Sequence, residues 1–218
     1  MGLMPERSAT LTPELPEYWA EATLALSARD KVMQDLIARV PGAQFRSRGD
    51  AFISLARSIT GQQISVKAAE SVWQKLLLAV GEIVPGAMVQ ADAQLLRECG
   101  FSRQKASYLK SLAEHFLHPE FDPQRWRGMD DEAIIEELIS VKGIGRWTAQ
   151  MFLIFHLLRP NVLPLDDIGL VRAISLHYNR GKPVTKLKMR SLAKRWQPWC
   201  TVATWYLWRS LDPIPVEY

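Results

Sequence analysis

The chain has 218 residues, 48% of them apolar and 23% charged, a balance ordinary for a globular protein. It contains no run of 18 apolar residues that reads as a membrane span, and its start, MGLMPERSATLTPELPEYW, lacks the basic segment and apolar core of a secretory signal. Cys99 and Cys200 are the only cysteines, too few for an iron–sulfur cluster or a disulfide framework, so the expectation is two free thiols in a cytoplasmic protein. The net charge of +4 is spread unevenly: residues 168–211 hold nine Lys and Arg and no acidic residue. Such a stretch is either a solvated basic face or a face that meets a polyanion.

Along the chain, the first 20 or so residues are rich in Pro and Glu and are expected to wrap the surface or fray. Helical spacing then dominates. Asp30 to Val40 places Val32, Leu36 and Val40 on one stripe, and Asp50 is placed to cap a helix carrying Phe52, Leu55, Ala56 and Ile59. Thr60-Gly61-Gln62-Gln63 interrupts that pattern, and Ser65 starts the next helix, to about Ala79. A short helix from Asp92 to Cys99 stops at Gly100, and Ser102 caps a longer one with Ala106, Leu109, Leu112, Ala113 and Phe116 inside. Asp130 or Asp131 opens another. Further helices are expected from Arg146 to Leu158, from about Asp166, from Lys186 to Trp196 and from Trp199 to Leu211.

No strand alternation and no repeat interrupts this series. The expected fold is all-α, a two-lobed bundle of about ten helices with a cleft between the lobes. Residues 1–28 are expected to form an extension packed on the C-terminal lobe and 29–211 the core. Within that core, about 60–165 is expected as one lobe and the termini as the other, with 212–218 a tail.

One connection carries chemistry. Between two expected helices lies Val141-Lys142-Gly143-Ile144-Gly145. Two glycines one residue apart permit a tight turn that another molecule can approach closely. The helix that follows presents unpaired amides and the positive end of its dipole, so the turn suits a phosphate. A dinucleotide-binding glycine turn follows a strand, whereas this one follows a helix. An ordinary glycine-terminated helix–helix connection is the plain alternative.

LISVKGIGRWTAQMFL resembles the helix-hairpin-helix motif of the DNA glycosylase superfamily, and VLPLDDIGLVRAI resembles its Pro- and Asp-containing loop. SITGQQISVKAA, GFSRQKASYLKSLA and WQPWCTVATWYLWRS resemble segments of the 3-methyladenine DNA glycosylase II branch, which removes alkylated bases. The resemblance runs from about Asp30 to Leu211 and leaves no room for the N-terminal β-rich domain of some members.

The resemblance implies a monofunctional hydrolase that cuts the N-glycosidic bond of an alkylated purine in duplex DNA, acting as a monomer after flipping the base out of the stack. Glycoside cleavage builds positive charge on the sugar, and a carboxylate near the anomeric carbon stabilises it and orients water. Local reading divides that role between Asp166 and Asp167; the resemblance assigns it to Asp167 and leaves Asp166 to cap the following helix. Trp147, Met151 and Trp208 match base-pocket positions, where aromatic walls favour a cationic base. Relatives that nick the strand carry a Schiff-base lysine where this chain has Trp147, and cluster-binding relatives have four C-terminal cysteines where this chain has Cys200.

By the same resemblance Lys142, Gly143, Ile144, Gly145 and Thr148 face the DNA backbone, and Gln62, Gln63 and Ile64 supply the wedge, with Gln63 first and Ile64 second. Carbonyls of Val141 and Ile144 are expected to hold a monovalent cation, with no other cofactor. His115 and His118 lie where a helix ends, which dipole contacts explain better than a metal. The rival readings are a non-catalytic helix-hairpin-helix module that grips DNA and a glycosylase for oxidised or mismatched bases.

Overall fold

A computed structural model describes residues 15–41, 45, 47 and 49–211, and the expectations for residues 1–14 and 212–218 lie outside them. The described chain is all-α, with no strand. Its helices are α1 (Trp19–Arg29), α2 (Lys31–Arg39), α3 (Ala51–Gly61), α4 (Val66–Val80), α5 (Pro85–Gln90) and α6 (Ala93–Glu98). There follow α7 (Arg103–Leu117), a 3-10 turn (Arg125–Gly128), α8 (Asp131–Ile139), α9 (Arg146–Phe155), α10 (Ile168–Tyr178), α11 (Lys186–Ala193) and α12 (Cys200–Arg209).

The starts of these helices are set by local chemistry. Asp30, Asp50, Ser65, Asp92, Ser102, Asp130 and Thr185 each accept a backbone N–H from the first turn of the helix that follows. The sequence expectations differ from the structure at several places. Helices α1 and α5 were not expected. Helix α9 stops at Phe155, three residues short of Leu158, because Leu158 takes a left-handed φ of +53° and the Arg159 amide closes back on the Leu153 carbonyl.

Two groups of helices form. Helices α1, α2, α10 and α12 pack on one another, while α3 to α7 make a second group centred on α7. The pair α8–α9 joins them, with α9 touching α3. Seven consecutive residues of α9, Thr148 to Ile154, are buried, so this helix is wrapped on all sides. Phe116, Phe121 and Phe152 of α9 each pack edge-on against Trp126. Arg159 ties the 3-10 turn down: it donates to the Met129 carbonyl at 3.0 Å and pairs with Asp131 at 3.3 Å.

The first group is fastened by aromatic contacts and one buried acid. Tyr18 stacks on Trp199 and donates its hydroxyl to the Leu158 carbonyl, while Trp19 packs edge-on against Trp205. Asp30 is buried and does two jobs. One carboxylate oxygen caps α2 through the amides of Val32 and Met33; the other accepts from the Tyr178 hydroxyl at 3.0 Å and the Trp196 indole at 3.3 Å. Both cysteines are free and buried, and burial pushes the Cys200 thiol up to about 12.

Asp30→Ala removes a cap and strands two donors, the buried Trp196 indole and the half-buried Tyr178 hydroxyl. The expected cost is about 3–5 kcal/mol. A melting temperature lowered by roughly 10 °C in a thermal unfolding scan is the expected outcome, and an unchanged one would show that Asp30 does not bridge α2 to α10.

Candidate active site

Asp167 is the N-cap of α10 and is buried, with 7% of its surface exposed. Its Oδ1 accepts the Leu170 amide at 2.6 Å and the Trp208 indole N–H at 2.7 Å. Its Oδ2 accepts the Trp147 indole N–H at 2.9 Å. One carboxylate thus joins α9, α10 and α12, and Oδ2 keeps a lone pair beyond its single donor. Gly169 makes the close approach possible: a Cβ there would stand 3.1 Å from both Asp167 Oδ1 and the Trp208 ring.

This geometry corrects one expectation. Asp166 does not cap α10; it is exposed and pairs with Lys186 at the start of α11. The cap is Asp167 itself, because its side chain is the one that folds back over the first-turn amide. The same three donors and the helix N-terminus fix its carboxylate in place.

The structure brings Trp147, Trp208 and Asp167 together. Trp208 also stacks on Phe155, with ring centres 5.8 Å apart and planes 16° from parallel. Phe155 is an aromatic wall the sequence did not single out. Met151 is buried one turn beyond Trp147 and lines a small pocket of about 40 Å³ between α3 and α9. Ser54, Ser58, Thr148 and His156 are its polar lining. His156 stacks on Phe152 and contacts the Ser54 hydroxyl through Nδ1 at 3.0 Å; burial pulls its basicity below the ordinary imidazole range.

Thr148, expected from sequence to face the DNA backbone, has its side chain buried in that pocket. Of the other hairpin residues, Lys142 and Gly145 are exposed, while the side chains of Val141 and Ile144 anchor the turn in the core. Gly143 has φ +92°, and the Tyr108 ring lies directly on it. No side chain caps α9, and its first internal bond runs from the Ala149 amide to the Gly145 carbonyl, which leaves earlier amides facing outward. Arg146 forms a two-pronged pair with Glu132, clasping α9 to α8.

The segment expected to supply the wedge lies next to the hairpin. Gln63 is exposed with a left-handed φ of +58°, and Ile64 is 41% exposed. Gln62 differs from the expectation: its amide donates to the Gly143 carbonyl at 3.0 Å, so it ties the two turns together and does not project. Between them opens a cleft of about 310 Å³ lined by Gln62, Gln63, Ser102, Gln104, Lys105, Tyr108 and the stretch Gly143 to Gly145, with no acidic side chain. Tyr108 and Lys105 were not read from the sequence as site residues, and their partners lie 35 and 45 positions away in the chain.

Residues 56–198 match the HhH-GPD superfamily of base excision DNA repair proteins. The chain belongs to this family. Among its HhH-GPD relatives is a DNA-3-methyladenine glycosylase 1 from Schizosaccharomyces pombe, 30% identical over 205 residues that cover 90% of each protein. A putative DNA-3-methyladenine glycosylase from Bacillus subtilis is 33% identical over 166 residues, and the matched region spans 72% of this chain and 58% of that longer relative. Among solved structures, a DNA-3-methyladenine glycosidase from Bacillus halodurans superposes with a TM-score of 0.81 at 32% identity, covering 88% of this chain and 89% of that one. A 3-methyladenine DNA glycosylase from Schizosaccharomyces pombe, solved in complex with abasic DNA, superposes with a TM-score of 0.75 at 28% identity, covering 91% and 98%.

The two hairpin glycines make different demands on this HhH-GPD chain. A methyl group at Gly143 would meet the Tyr108 ring at 2.2 Å in a left-handed backbone, whereas one at Gly145 meets nothing within 4 Å. Gly143→Ala is expected to cost about 2–4 kcal/mol and Gly145→Ala under about 0.5 kcal/mol. Denaturant unfolding of the two variants checks this; equal losses would show that the Tyr108 contact does not constrain the turn.

Proposed function

We propose that this chain is a monofunctional DNA glycosylase that hydrolyses the N-glycosidic bond of alkylated purines, of the 3-methyladenine type, in duplex DNA. The observation that carries this reading is the Asp167 carboxylate held between two indoles. A module that only grips DNA has no use for a buried acid so held.

The chemistry follows from that placement. An alkylated purine carries positive charge and leaves with the bonding electrons as the bond from its ring nitrogen to the sugar C1′ breaks. Positive charge then builds on the sugar, opposite the open lone pair of Asp167 Oδ2. Water adds its oxygen to C1′ and gives up a proton, for which Asp167 is the acceptor. Trp147, Trp208 and Met151 form the wall against which the cationic base rests; stacking of this kind contributes about 0.5–2 kcal/mol. Phe155, behind Trp208, stiffens that wall.

Trp147 occupies the position where strand-nicking relatives carry a lysine, and its indole is bound to the acid. An indole offers no amine to form a Schiff base, which supports hydrolysis without strand cleavage. The hairpin from Lys142 to Gly145 and the outward amides of α9 would hold the backbone phosphates of damaged double-stranded DNA. Gln63 and Ile64 would enter the stack where the base has left. Neutral carbonyls around a glycine turn are a donor set that an alkali cation accepts, and Val141 and Ile144 would hold one there, neutralising charge on the adjoining phosphate. One flipped base needs one protomer.

Incubation with methylated duplex DNA, followed by mass spectrometry of the freed bases, is expected to yield 3-methyladenine, with strands cut only after added alkali. Asp167→Asn is expected to lower release by about 10²–10⁴-fold while duplex binding persists. No freed base from the wild-type chain would overturn the proposed reaction, and a fully active Asn variant would overturn the assignment of Asp167.

A further inference from the structure

The turn after α3 has little of its own to hold it. Its two internal backbone bonds are long, 3.3 Å from the Gln62 amide to the Ile59 carbonyl and 3.4 Å from the Ile64 amide to the Gly61 carbonyl. Gln63, between them, sits in the left-handed region that side chains other than glycine rarely adopt. A turn this weakly bonded keeps one shape only if outside contacts impose it.

Two such contacts exist, at Thr60 and at Gln62, both just ahead of Gln63 in the chain. The Lys105 ammonium of α7 donates to the Thr60 carbonyl at 2.7 Å. Thr60 is in the last turn of α3, where carbonyls lack helical partners and the dipole is negative, so a cation there caps the helix. Two residues on from Thr60, the Gln62 side-chain amide donates to the Gly143 carbonyl of the hairpin. Three residues beyond Lys105 on α7, Tyr108 presses on Gly143 itself, and Gln104 reaches the Tyr108 hydroxyl. One edge of α7 therefore fixes both turns.

Lys105 is unusual among the cations of this chain. It is half-buried, burial pulls its amine below the ordinary lysine range, and no acidic side chain lines the cleft beside it. Its ammonium donates to the carbonyl of Thr60. A solvated lysine on a DNA-facing surface has no need of that contact, which desolvates the ammonium while serving only the end of α3.

We propose that Lys105 is a positioning residue for the wedge: its ammonium locks the last turn of α3 so that Gln63 projects into the base stack in one direction. The effect falls on extrusion of the base and not on bond cleavage at Asp167. This rests on the reading of the chain as a base-flipping glycosylase.

The test compares Lys105→Met, Lys105→Arg, Gln63→Ala and the double variant Lys105→Met/Gln63→Ala. The first readout is alkylpurine release from duplex relative to the same oligonucleotide as a single strand, which has no duplex stack to open. The second is the fluorescence of 2-aminopurine placed opposite a tetrahydrofuran abasic analogue, which reports wedge insertion without chemistry. Lys105→Met is expected to lower the duplex-to-single-strand ratio and the fluorescence change each by about fivefold or more, and Lys105→Arg to restore both to within about twofold. Because Lys105 acts through Gln63, the double variant is expected to match Gln63→Ala alone.

Independent, additive losses in the double variant would overturn the proposal, as would equal losses on duplex and single strand or a wild-type response from Lys105→Met. A wild-type protein that freed no alkylpurine from either DNA would overturn the enzymatic reading instead, and the fluorescence arm would still judge Lys105. No fluorescence change with wild type would show that there is no wedge to position.

Discussion

The carboxylate of Asp167 is the constraint on which the site depends. It satisfies an orphan amide at the start of α10 and two indole donors from α9 and α12, helices that the chain visits 20 positions before and 41 positions after it. A buried acid costs free energy unless it is hydrogen-bonded on most sides, and here three donors and a helix N-terminus share that work. The arrangement is self-consistent: the tryptophans that form the pocket wall are oriented by the acid, and the acid is oriented by them. Neither can be placed without the other, so pocket shape and chemical group are built in one step.

A second constraint links the cleft to the two turns proposed to meet DNA. The hairpin after α8 and the turn after α3 are 81 residues apart at their point of contact, yet Gln62 bridges them and α7 backs both. In the proposed complex the two turns must keep a fixed separation, so that one grips phosphate while the other enters the stack. Loops supply the chemistry here, and the helices behind them supply the precision. The acid-free lining of the cleft fits a polyanion, and the basic run from Ile168 to Leu211 extends the same sign of charge along the C-terminal helices.

What could be read from the sequence was local. Capping residues were legible at Asp50, Ser65 and Ser102, because a cap is a bond to an amide two or three positions away. The hairpin was legible from Gly143 and Gly145. Helix α1 was not, although Trp19, Ala22 and Leu26 do face the core: Leu24 lies 73% exposed on the opposite side and blurs the period. Helix α5 buries only Met88 and is too short to show a period. At Asp166 and Asp167 the local rule fails in a different way, since either acid satisfies the capping pattern. Only the distant donors Trp147, Trp208 and Lys186 decide which one turns inward.

Trp147 shows most directly how a single side chain divides reaction types on one scaffold. At that position an amine would be a nucleophile able to hold the sugar covalently, and it would pair with the neighbouring acid as a charge. The indole instead offers one N–H and a large face. It gives the N–H to Asp167 and so orients the acid. In the proposed reaction its face walls the base, and the acid is left to work on water alone. With no charged partner at Oδ2, its negative charge remains available to the sugar as positive charge develops there. The proposed hydrolytic outcome thus rests on what the indole does as much as on what it lacks.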